Sequence, residues 1–351
     1  MDHAFWMHRC LRLARNGAGG AAPNPMVGAV LVHDDRLIAE GWHQAPGGPH
    51  AERACLDALG EKAIPADATL YVNMEPCAHH GRTPPCADLL IERGVRRVVV
   101  AHRDPFTEVN GRGIARLKHA GIMVIEGILA DEAKWLNRRF LTSVTGQRPY
   151  IVLKWAQSAD GFLDDHGRSA RISSASTDVL VHRWRSEEQA ILVGSRTVVN
   201  DDPHLDVRHV EGRSPLRVVL DRAGIVPTVS KLFDGTMPTL LFTGHARAGV
   251  TAEQVVLDPG TEPLRAILSE LNRRSIRSLL VEGGAELHGH FIRLGLWDEA
   301  RVISGAKTFG SGTPAPMLSA DRSRGYAHGT DRIALLVNAS LQPEPHDAWP
   351  W

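Results

Sequence analysis

The sequence predicts an α/β fold divided between two domains. Short apolar runs alternate with helical patterns along the chain, which is typical of layered α/β proteins. The length of 351 residues exceeds the usual size of one domain, roughly 100–200 residues. The polar segment Thr142–Pro149 interrupts the alternation and ends in proline, so we place the boundary there, with domains at 1–146 and 149–341. The tail 342–351 contains three prolines and is expected to be poorly ordered.

The first half combines predicted strands with two predicted helices. Its strands are Val27–Val32, Leu37–Gly41, Thr69–Met74 and Val95–Ala101. One helix opens in the segment Gly47–Glu52 and stops at Gly60, and a second runs from Pro85-Cys86 to Arg93-Gly94. Proline in the first turn and glycine just past the end are the usual signals of helix termini.

The second half continues the strand pattern, with helical patterns between several strands. Its predicted strands are Tyr150–Trp155, Ala190–Val193, Leu216–Asp221, Thr239–Thr243, Ser278–Glu282, Glu299–Ser304 and Ile333–Val337. The turn Val281–Ala285 follows a strand and opens a helix, where free amides could hold a cofactor phosphate. It is not the G-x-G-x-x-G fingerprint, so an ordinary glycine-rich turn is an equally good interpretation of these residues alone.

Composition and charge favour a small-molecule enzyme without excluding a local basic groove. Lysine plus arginine equals aspartate plus glutamate, at 40 each, so a broad basic surface for nucleic acid is not expected. No apolar run approaches the roughly 20 residues of a membrane span, and the first residues show no secretory signal. Four cysteines in such a chain favour metal ligands, catalytic groups or buried thiols over disulfides, and a cytoplasmic location. Cys10 and Cys55 lie on apolar helix faces and are expected in the core.

Four residues of the first half have the chemistry of a catalytic zinc site. His50, Cys77 and Cys86 offer one imidazole and two thiolates, and three protein ligands leave the fourth zinc position open for water. Zinc lowers the pKa of bound water from about 15.7 towards 7. Glu52 stands two residues from a ligand and could carry the proton. A His-x-Glu followed by Pro-Cys and a later Cys is typical of zinc nucleobase deaminases.

Each of these residues, taken singly, could also have a structural role without a metal. Cys77 and Cys86 could be buried thiols, and His50 could be a capping histidine. The ordered set, each member in a strand–loop–helix context, favours the metal site. Eight residues separate Cys77 from Cys86, which is longer than the usual spacing and calls for an explanation.

The segments Pro23–Gly28, His50–Glu52 and Glu75–Cys86 resemble the deaminase domain of the bifunctional riboflavin-biosynthesis deaminase/reductases, in which the long spacing between the cysteines is usual. The second half is similar to the reductase domain of the same family over Lys154–Gly161, Ile191–Pro203 and Trp297–Glu299. The resemblance runs from about residue 3 to 340. It implies a cytidine-deaminase-like three-layer domain followed by a dihydrofolate-reductase-like domain. It also implies zinc-dependent deamination of 2,5-diamino-6-ribosylamino-4(3H)-pyrimidinone 5′-phosphate, then NADPH-dependent reduction of the ribosyl group to ribityl.

The resemblance assigns roles in the deaminase half. His50, Cys77 and Cys86 would bind one zinc ion, and Glu52 would shuttle protons. The residues expected to contact the pyrimidine and its phosphate are Asn24, His43, His80, Arg82 and Asp104. A solvated loop histidine is an equally good interpretation of His43 and His80. Phe106 stands where many relatives have asparagine.

The resemblance also assigns roles in the reductase half. The expected NADPH contacts are Ala156, Arg171, Ser173, Thr197, Asp201, Gly283 and Gly284. The expected substrate contacts are Lys154, Ser169, Arg185, Leu205, Arg208 and Glu282. Asp160 could orient groups at the reacting centre, although a turn residue before Gly161 is the better interpretation. The chain departs from the family's Trp-Ile-Thr and Ala-Pro-Lys at 171–173 and 305–307.

Three other functions compete with the bifunctional enzyme. They are a nucleic-acid base deaminase, a deaminase whose reductase-like domain is inactive or regulatory, and a non-enzymatic protein with zinc as a structural staple. The neutral charge and the family-specific zinc loop argue against the first. The expected partner is the pyrimidine ribosylamine phosphate, with no nucleic acid and no membrane, and a homo-oligomer is left open.

Overall fold

The computed structural model describes residues 2–78, 84–106, 110–320 and 322–338. The chain divides between Gly146 and Gln147 into two compact units, each with its own sheet. In the described part of the chain, no helix combines the length and the apolar character that a bilayer crossing requires. The predicted tail 342–351 lies outside the described residues.

The first unit is a five-stranded sheet with helices on both faces. Its strands are β1 (Gly28–His33), β2 (Arg36–Trp42), β3 (Thr69–Val72), β4 (Arg97–Val100) and β5 (Met123–Glu126). Its α-helices are α1 (His3–Ala14), α2 (Ala51–Leu59), α3 (Cys86–Glu92), α4 (Arg112–His119), α5 (Ala130–Leu136) and α6 (Arg138–Gly146). The strand order is β2-β1-β3-β4-β5, with β3, β4 and β5 parallel and the β2–β1 and β1–β3 pairs antiparallel.

Alternate residues of the central strands pack into two separate cores, one on each face of the sheet, so this unit is a three-layer structure. Along β1, Leu31 packs with Cys55 of α2 in one core, whereas Val30 packs with Cys10 of α1 in the other. Strands buried on both faces read as continuous apolar runs, which is why the sequence shows them clearly. Cys10 and Cys55 are fully buried, as predicted.

Helix α6 corrects one prediction of the sequence analysis. The segment Thr142–Pro149 was expected to be a polar break, but α6 continues through its first half to Gly146. Threonine and serine are weak helix formers, so the sequence masks this helix. Burial of Phe140 and Ser143 stabilises it instead, through tertiary packing.

The second unit is built on a nine-stranded sheet. Its strands are β6 (Tyr150–Gln157), β7 (Ala190–Gly194), β8 (Leu216–Asp221), β9 (Thr239–Thr243), β10 (Glu253–Val256), β11 (Ser278–Val281), β12 (Glu299–Ser304), β13 (Arg322–His328) and β14 (Asp331–Val337). Its α-helices are α7 (Ala175–Glu187), α8 (Ser195–Asp201), α9 (Pro263–Arg273) and α10 (Ala285–Arg293). The strand order is β10-β9-β8-β7-β11-β6-β12-β14-β13.

Seven of these strands, from β10 to β12 in the sheet order, are parallel, and the β12–β14 and β14–β13 pairs at one edge are antiparallel. Both faces are covered, since Leu153 of β6 lies in one core and Val152 lies in the other. The central strands β7, β11 and β6 are neighbours, so the residues at their carboxyl ends are brought to one edge. Ligands bind at that edge in open α/β sheets.

The predicted strands all occur, with ends that shift by a few residues. The structure adds β5, β10 and β13, which the sequence analysis missed. All three are edge strands with partly exposed residues. The α/β fold class predicted for both halves is confirmed.

Candidate active sites

The three predicted zinc ligands converge in the first unit from three separate segments. His50 is the N-cap of α2, Cys86 is the first residue of α3, and Cys77 lies in the loop after β3. Pro49 precedes the N-cap of α2 and Pro85 is the N-cap of α3, so neither proline lies within the first turn as predicted.

The two nitrogen–sulfur separations among the ligand atoms fit a tetrahedral zinc ion, and all three atoms lie within 4.8 Å of one another. His50 Nδ1 lies 3.6 Å from Cys77 Sγ and 3.4 Å from Cys86 Sγ. Ordinary Zn–N and Zn–S bonds at a tetrahedral angle place nitrogen and sulfur roughly 3.6 Å apart. Hydrogen bonds from Cys86 and His50 lower the pKa of Cys77, which favours the thiolate that binds metal. The donor set and its spacing therefore suit zinc.

Glu52 is buried beside these ligands. Its side chain lies in the first turn of α2 and is 3% exposed. Burial raises the pKa of Glu52 to about 7, with the Cys77 sulfur adding to the increase. A carboxyl group with a pKa near neutrality can both take up and release a proton, which is the property that the sequence analysis required of this residue.

Asn24 and His43 form a hydrogen-bonded pair next to the ligands. The imidazoles of His43 and His50 meet edge to face, with ring centroids 5.5 Å apart. His43 Nδ1 lies 2.9 Å from Pro49 O, which can only accept, so Nδ1 carries the proton. His43 Nε2 therefore accepts from Asn24 Nδ2, 3.0 Å away. Burial lowers the pKa of His43 and keeps this arrangement neutral, so His43 is a buried, oriented ring and not a solvated loop histidine.

Two buried asparagines that the sequence analysis missed hold the loop carrying Asn24. Asn137 Oδ1 accepts from the Met26 amide at 2.8 Å, and its Nδ2 donates to Met26 O at 2.9 Å. Asn73 Nδ2 donates to the same carbonyl at 3.1 Å. Both asparagines are almost fully buried. No local pattern marks them, because Asn137 acts 111 residues away from its partner.

Glu75 is the second group that the sequence analysis left without a role, although it stands in the quoted zinc motif. Its carboxylate is 4% exposed and accepts four backbone N–H groups, from Asp104, Gly111, Gly113 and Ile114. Asp104 itself accepts from the Phe106 amide. A carboxylate directly after a buried strand and two residues before a ligand is the signal that could have identified it. His80 and Arg82 lie outside the described residues.

In the second unit, Lys154, Arg185 and Glu282 form a buried ionic triad. Glu282 follows β11 and Lys154 lies in the neighbouring strand β6, where Val281 pairs with Leu153. Glu282 accepts two hydrogen bonds from Arg185, at 2.8 and 2.9 Å, and one from Lys154 at 3.3 Å. Burial alone would raise the pKa of Glu282, but the two cations outweigh it and hold the pKa below the ordinary range. These three predicted substrate residues are thus brought together.

The loop with the other predicted substrate residues adjoins this triad. Arg185 Nη1 donates to Asp206 O at 3.2 Å, which ties α7 to the segment that contains Leu205 and Arg208. Leu205 is buried with a left-handed φ of 56°. The Arg208 guanidinium pairs with Asp206 and is half exposed. Ser169 is exposed.

The glycine turn of the second unit has room for a cofactor phosphate. Gly284 is the N-cap of α10 and Gly194 is the N-cap of α8, and these helices follow the adjacent strands β11 and β7. A Cβ on Gly284 would lie 4.0 Å from Thr197 Oγ1, its nearest neighbour, and a Cβ on Gly194 would meet nothing within 4 Å. Open backbone at two neighbouring helix starts suits a phosphate. Ala156 is half-buried in β6 and Asp201 is exposed at the end of α8.

The two segments that depart from the family pattern contact each other. Lys307 Nζ donates to Arg171 O at 3.0 Å, and a Cβ on Gly305 would lie 2.4 Å from Ile172 O. The Arg171 side chain is occupied by Asp178 and by Ser173 O. Glycine at 305 therefore permits the close approach that the 171–173 segment adopts here.

Asp160 has the contacts of a turn residue, as the sequence analysis favoured. Its carboxylate accepts from Ser158 Oγ at 2.6 Å and from the amides of Phe309 and Gly310. These hydrogen bonds lower the pKa of Asp160 to about 2, and the one from Ser158 has the largest effect. The residue fastens the turn after β6 to the loop after β12.

Comparisons with known proteins assign a family to each half of the chain. The family model of the cytidine and deoxycytidylate deaminase zinc-binding region matches residues 1–102, and that of the RibD C-terminal domain matches residues 149–324. The chain is 41% identical over 315 residues to the riboflavin biosynthesis protein RibD of Aquifex aeolicus, covering 88% of each chain. It is 39% identical over 330 residues to that of Escherichia coli K12, covering 89% of each.

A solved structure matches most of the chain. The diaminohydroxyphosphoribosylaminopyrimidine deaminase/5-amino-6-(5-phosphoribosylamino)uracil reductase of Thermotoga maritima superposes with a TM-score of 0.86 at 36% identity, covering 95% of this chain and 98% of that one. The Acinetobacter baumannii RibD superposes with a TM-score of 0.84 at 34% identity and the same coverage. The chain therefore belongs to the RibD family and is a bifunctional riboflavin-biosynthesis enzyme, in which a zinc-binding deaminase is joined to an NADPH-dependent reductase.

Proposed function

We propose that His50, Cys77 and Cys86 bind the zinc ion of the deaminase and that Glu52 carries its protons. The observation that carries this proposal is the tetrahedral spacing of three ligand atoms beside one buried carboxyl group. A bound zinc ion acts as a Lewis acid and lowers the pKa of a coordinated water towards 7. Glu52 would take one proton from the attacking water and give it to the pyrimidine ring nitrogen as the C–O bond forms. It would then pass the remaining hydroxyl proton to the amino group, so that the C–N bond breaks, a C=O group forms and ammonia leaves.

The substrate we propose is 2,5-diamino-6-ribosylamino-4(3H)-pyrimidinone 5′-phosphate. The paired Asn24 and His43 side chains stand beside His50, where they can orient the heterocycle. Asp104, His80 and Arg82, which were predicted with them to contact the pyrimidine and its phosphate, complete the proposed set. The small, neutral and oriented groups of the described part of this site suit a free nucleotide better than a nucleic-acid backbone.

In the reductase half, we propose that the sugar-phosphate site is lined by Lys154, Arg185 and Glu282. Because Arg185 is engaged by Glu282 and Asp206 O, the more exposed guanidinium of Arg208 is the better phosphate donor of the two. Ser169 and Leu205 join this site. NADPH would lie along Ala156, Arg171 and Ser173 and over the turn of Gly283 and Gly284, beside Thr197 and Asp201. NADPH would supply a hydride to C1 of the sugar while the C1–O4 bond opens and the ring oxygen takes up a proton from solvent, so the protein must above all place the nicotinamide against the sugar.

The test supplies the diaminopyrimidinone ribosylamine phosphate with NADPH and follows ammonia and both products by mass. Glu52→Gln is expected to lower ammonia release by about 10²–10⁴ while the zinc content stays the same. Glu40→Gln, which breaks a surface ion pair with Arg9, is the matched control and leaves ammonia release intact. Unchanged release in Glu52→Gln would favour a structural zinc, and release from an RNA stem-loop alone would overturn the proposed substrate.

The reductase is tested separately by supplying the deaminated product and recording NADPH absorbance. Glu52→Gln is expected to retain this reaction, because its substitution lies in the other unit. A cytoplasmic location is proposed on chemical grounds, since all four cysteines are free thiols and thiolate ligands persist in a reducing compartment. A homo-oligomer and the lack of a nucleic-acid partner stay predictions.

A further inference from the structure

Helix α4 is fastened to the zinc loop at a point where its backbone nearly touches that loop. A Cβ on Gly113 would lie only 1.9 Å from Pro76 O, and Pro76 immediately precedes the ligand Cys77. Such an approach is open only to glycine. The start of α4 and the backbone at Cys77 therefore move together or not at all.

The Glu75 carboxylate joins its own segment to α4 and to the residues before α4, and both of its oxygens accept hydrogen bonds. Oε1 accepts from the amides of Gly113 and Ile114 at 2.9 and 3.1 Å, which are in the first turn of α4. Oε2 accepts from the amides of Asp104 and Gly111 at 3.2 and 2.9 Å. One buried carboxylate thus joins the segment of a zinc ligand to α4 through one oxygen, and to the Asp104 segment through the other.

Arg116 of α4 adds a second tether to the same loop. Its Nε lies 2.5 Å from Asp88 of α3, two residues beyond the ligand Cys86. Its Nη1 donates to Ala78 O, directly after Cys77, at 3.3 Å. Through Glu75 and Arg116, α4 is bonded to the chain on both sides of Cys77 and to the helix that Cys86 begins.

We propose that Glu75 is a positioning residue of the deaminase. Through its hydrogen bonds to α4 and to the Asp104 substrate segment, it fixes the position of the zinc ligand Cys77 relative to that segment. Arg116 is a second link between α4 and the segment of Cys77. The inference rests on the proposed deaminase site. Substitution of residues that hydrogen-bond to metal ligands, without binding the metal themselves, changes metal affinity by about 10–100-fold. A lost hydrogen bond to a charged group corresponds to a factor of about ten or more in binding.

Glu75→Gln separates the two attachments, because an amide keeps one oxygen and presents an NH₂ group to the other pair of amides. We expect zinc to pass to an excess of a chromogenic chelator about 10–100-fold faster than from the wild type. With zinc kept saturating, the deaminase KM should rise about tenfold while kcat changes far less, since Glu52 and the ligands are intact. A purely structural role for Glu75 would lower the thermal midpoint and the active fraction, with KM and the zinc-loss rate of the folded fraction unchanged.

Arg116→Gln is the second variant, at a half-exposed side chain whose loss leaves the fold intact. It should accelerate zinc loss with an unchanged KM, because Arg116 does not contact the Asp104 segment in the described structure. Glu40→Gln should alter neither quantity. Wild-type zinc loss and KM in folded Glu75→Gln would overturn the proposal. If Glu75→Gln does not fold, a rate of zinc loss in Arg116→Gln equal to that of the wild type would overturn the proposal. A wild-type protein that releases no ammonia would instead contradict the proposed function, and the chelator measurement still decides the role of α4.

Discussion

Replacing Gly113 by alanine should destabilise the deaminase unit, against the usual effect of this substitution in a helix. Gly113 is the second residue of α4, and helix propensity alone favours alanine by about 1 kcal/mol. An added Cβ would lie 1.9 Å from Pro76 O, whereas real Cβ atoms essentially never approach closer than 3.0 Å. The helix must therefore withdraw by at least about 1 Å, a shift set by ordinary close packing.

The cost follows from the hydrogen bonds that this shift breaks. The Gly113 and Ile114 amides lie 2.9 and 3.1 Å from Glu75 Oε1, and a withdrawal of about 1 Å takes both beyond hydrogen-bonding distance. Two hydrogen bonds to a carboxylate contribute about 3 kcal/mol or more. After the propensity gain, a net loss of about 2–4 kcal/mol remains, which lowers the midpoint of a unit of this size by roughly 5–10 °C.

The measurement is thermal unfolding of the zinc-loaded protein, with the transition of the first unit identified by release of zinc. Gly289→Ala is the matched control, since Gly289 lies within α10 and a Cβ there would meet nothing within 4 Å. It should raise the midpoint of the second unit, because propensity acts alone there. If Gly113→Ala also raises its midpoint, the close contact between α4 and the zinc loop is refuted.

Two further predictions concern buried charge. Glu282→Gln leaves the Lys154 and Arg185 cations without their partner, so we expect a stability loss of about 3–5 kcal/mol and slower NADPH oxidation with ammonia release unchanged; an unaltered melt of the second unit would contradict the triad. Burial lowers the pKa of His102 to about 4, against about 6.5 in an unfolded chain. Unfolding then takes up a proton between these values, so stability falls by up to about 3 kcal/mol as the pH drops from 6.5 towards 4. His102→Gln should flatten this part of the curve of unfolding free energy against pH, and parallel curves would contradict it.

The fold was predictable where strands are buried on both faces and not at the edges of the sheets. Strands such as β4 and β7 carry continuous apolar runs because each face packs in a core. The edge strands β5, β10 and β13 are partly exposed. β10 and β13 include charged residues, whereas β5 overlaps the short apolar run Ile122–Ile125, which the sequence analysis missed. Their place is decided by hydrogen bonds to a neighbouring strand, which local residues do not encode.

The proposed zinc donor set can be identified from the sequence itself. The identities of His50, Cys77, Cys86 and Glu52 specify the chemistry, because imidazole and thiolate bind zinc and a carboxyl group moves protons wherever the fold places them. Their spacing, together with the resemblance to a known family, is sufficient to assign the reaction from the sequence.

Only the tertiary structure decided what holds and tunes those groups. The four amides that donate to the Glu75 carboxylate lie 29 to 39 residues further along the chain, so its hydrogen-bond partners could be named only in the folded protein. Glu282 meets Lys154 across 128 residues of chain because β11 and β6 are neighbours in the sheet. Ligand chemistry belongs to single residues and is readable in the sequence, whereas burial, hydrogen-bond partners and the pKa values they set arise from elements that meet only in the folded chain.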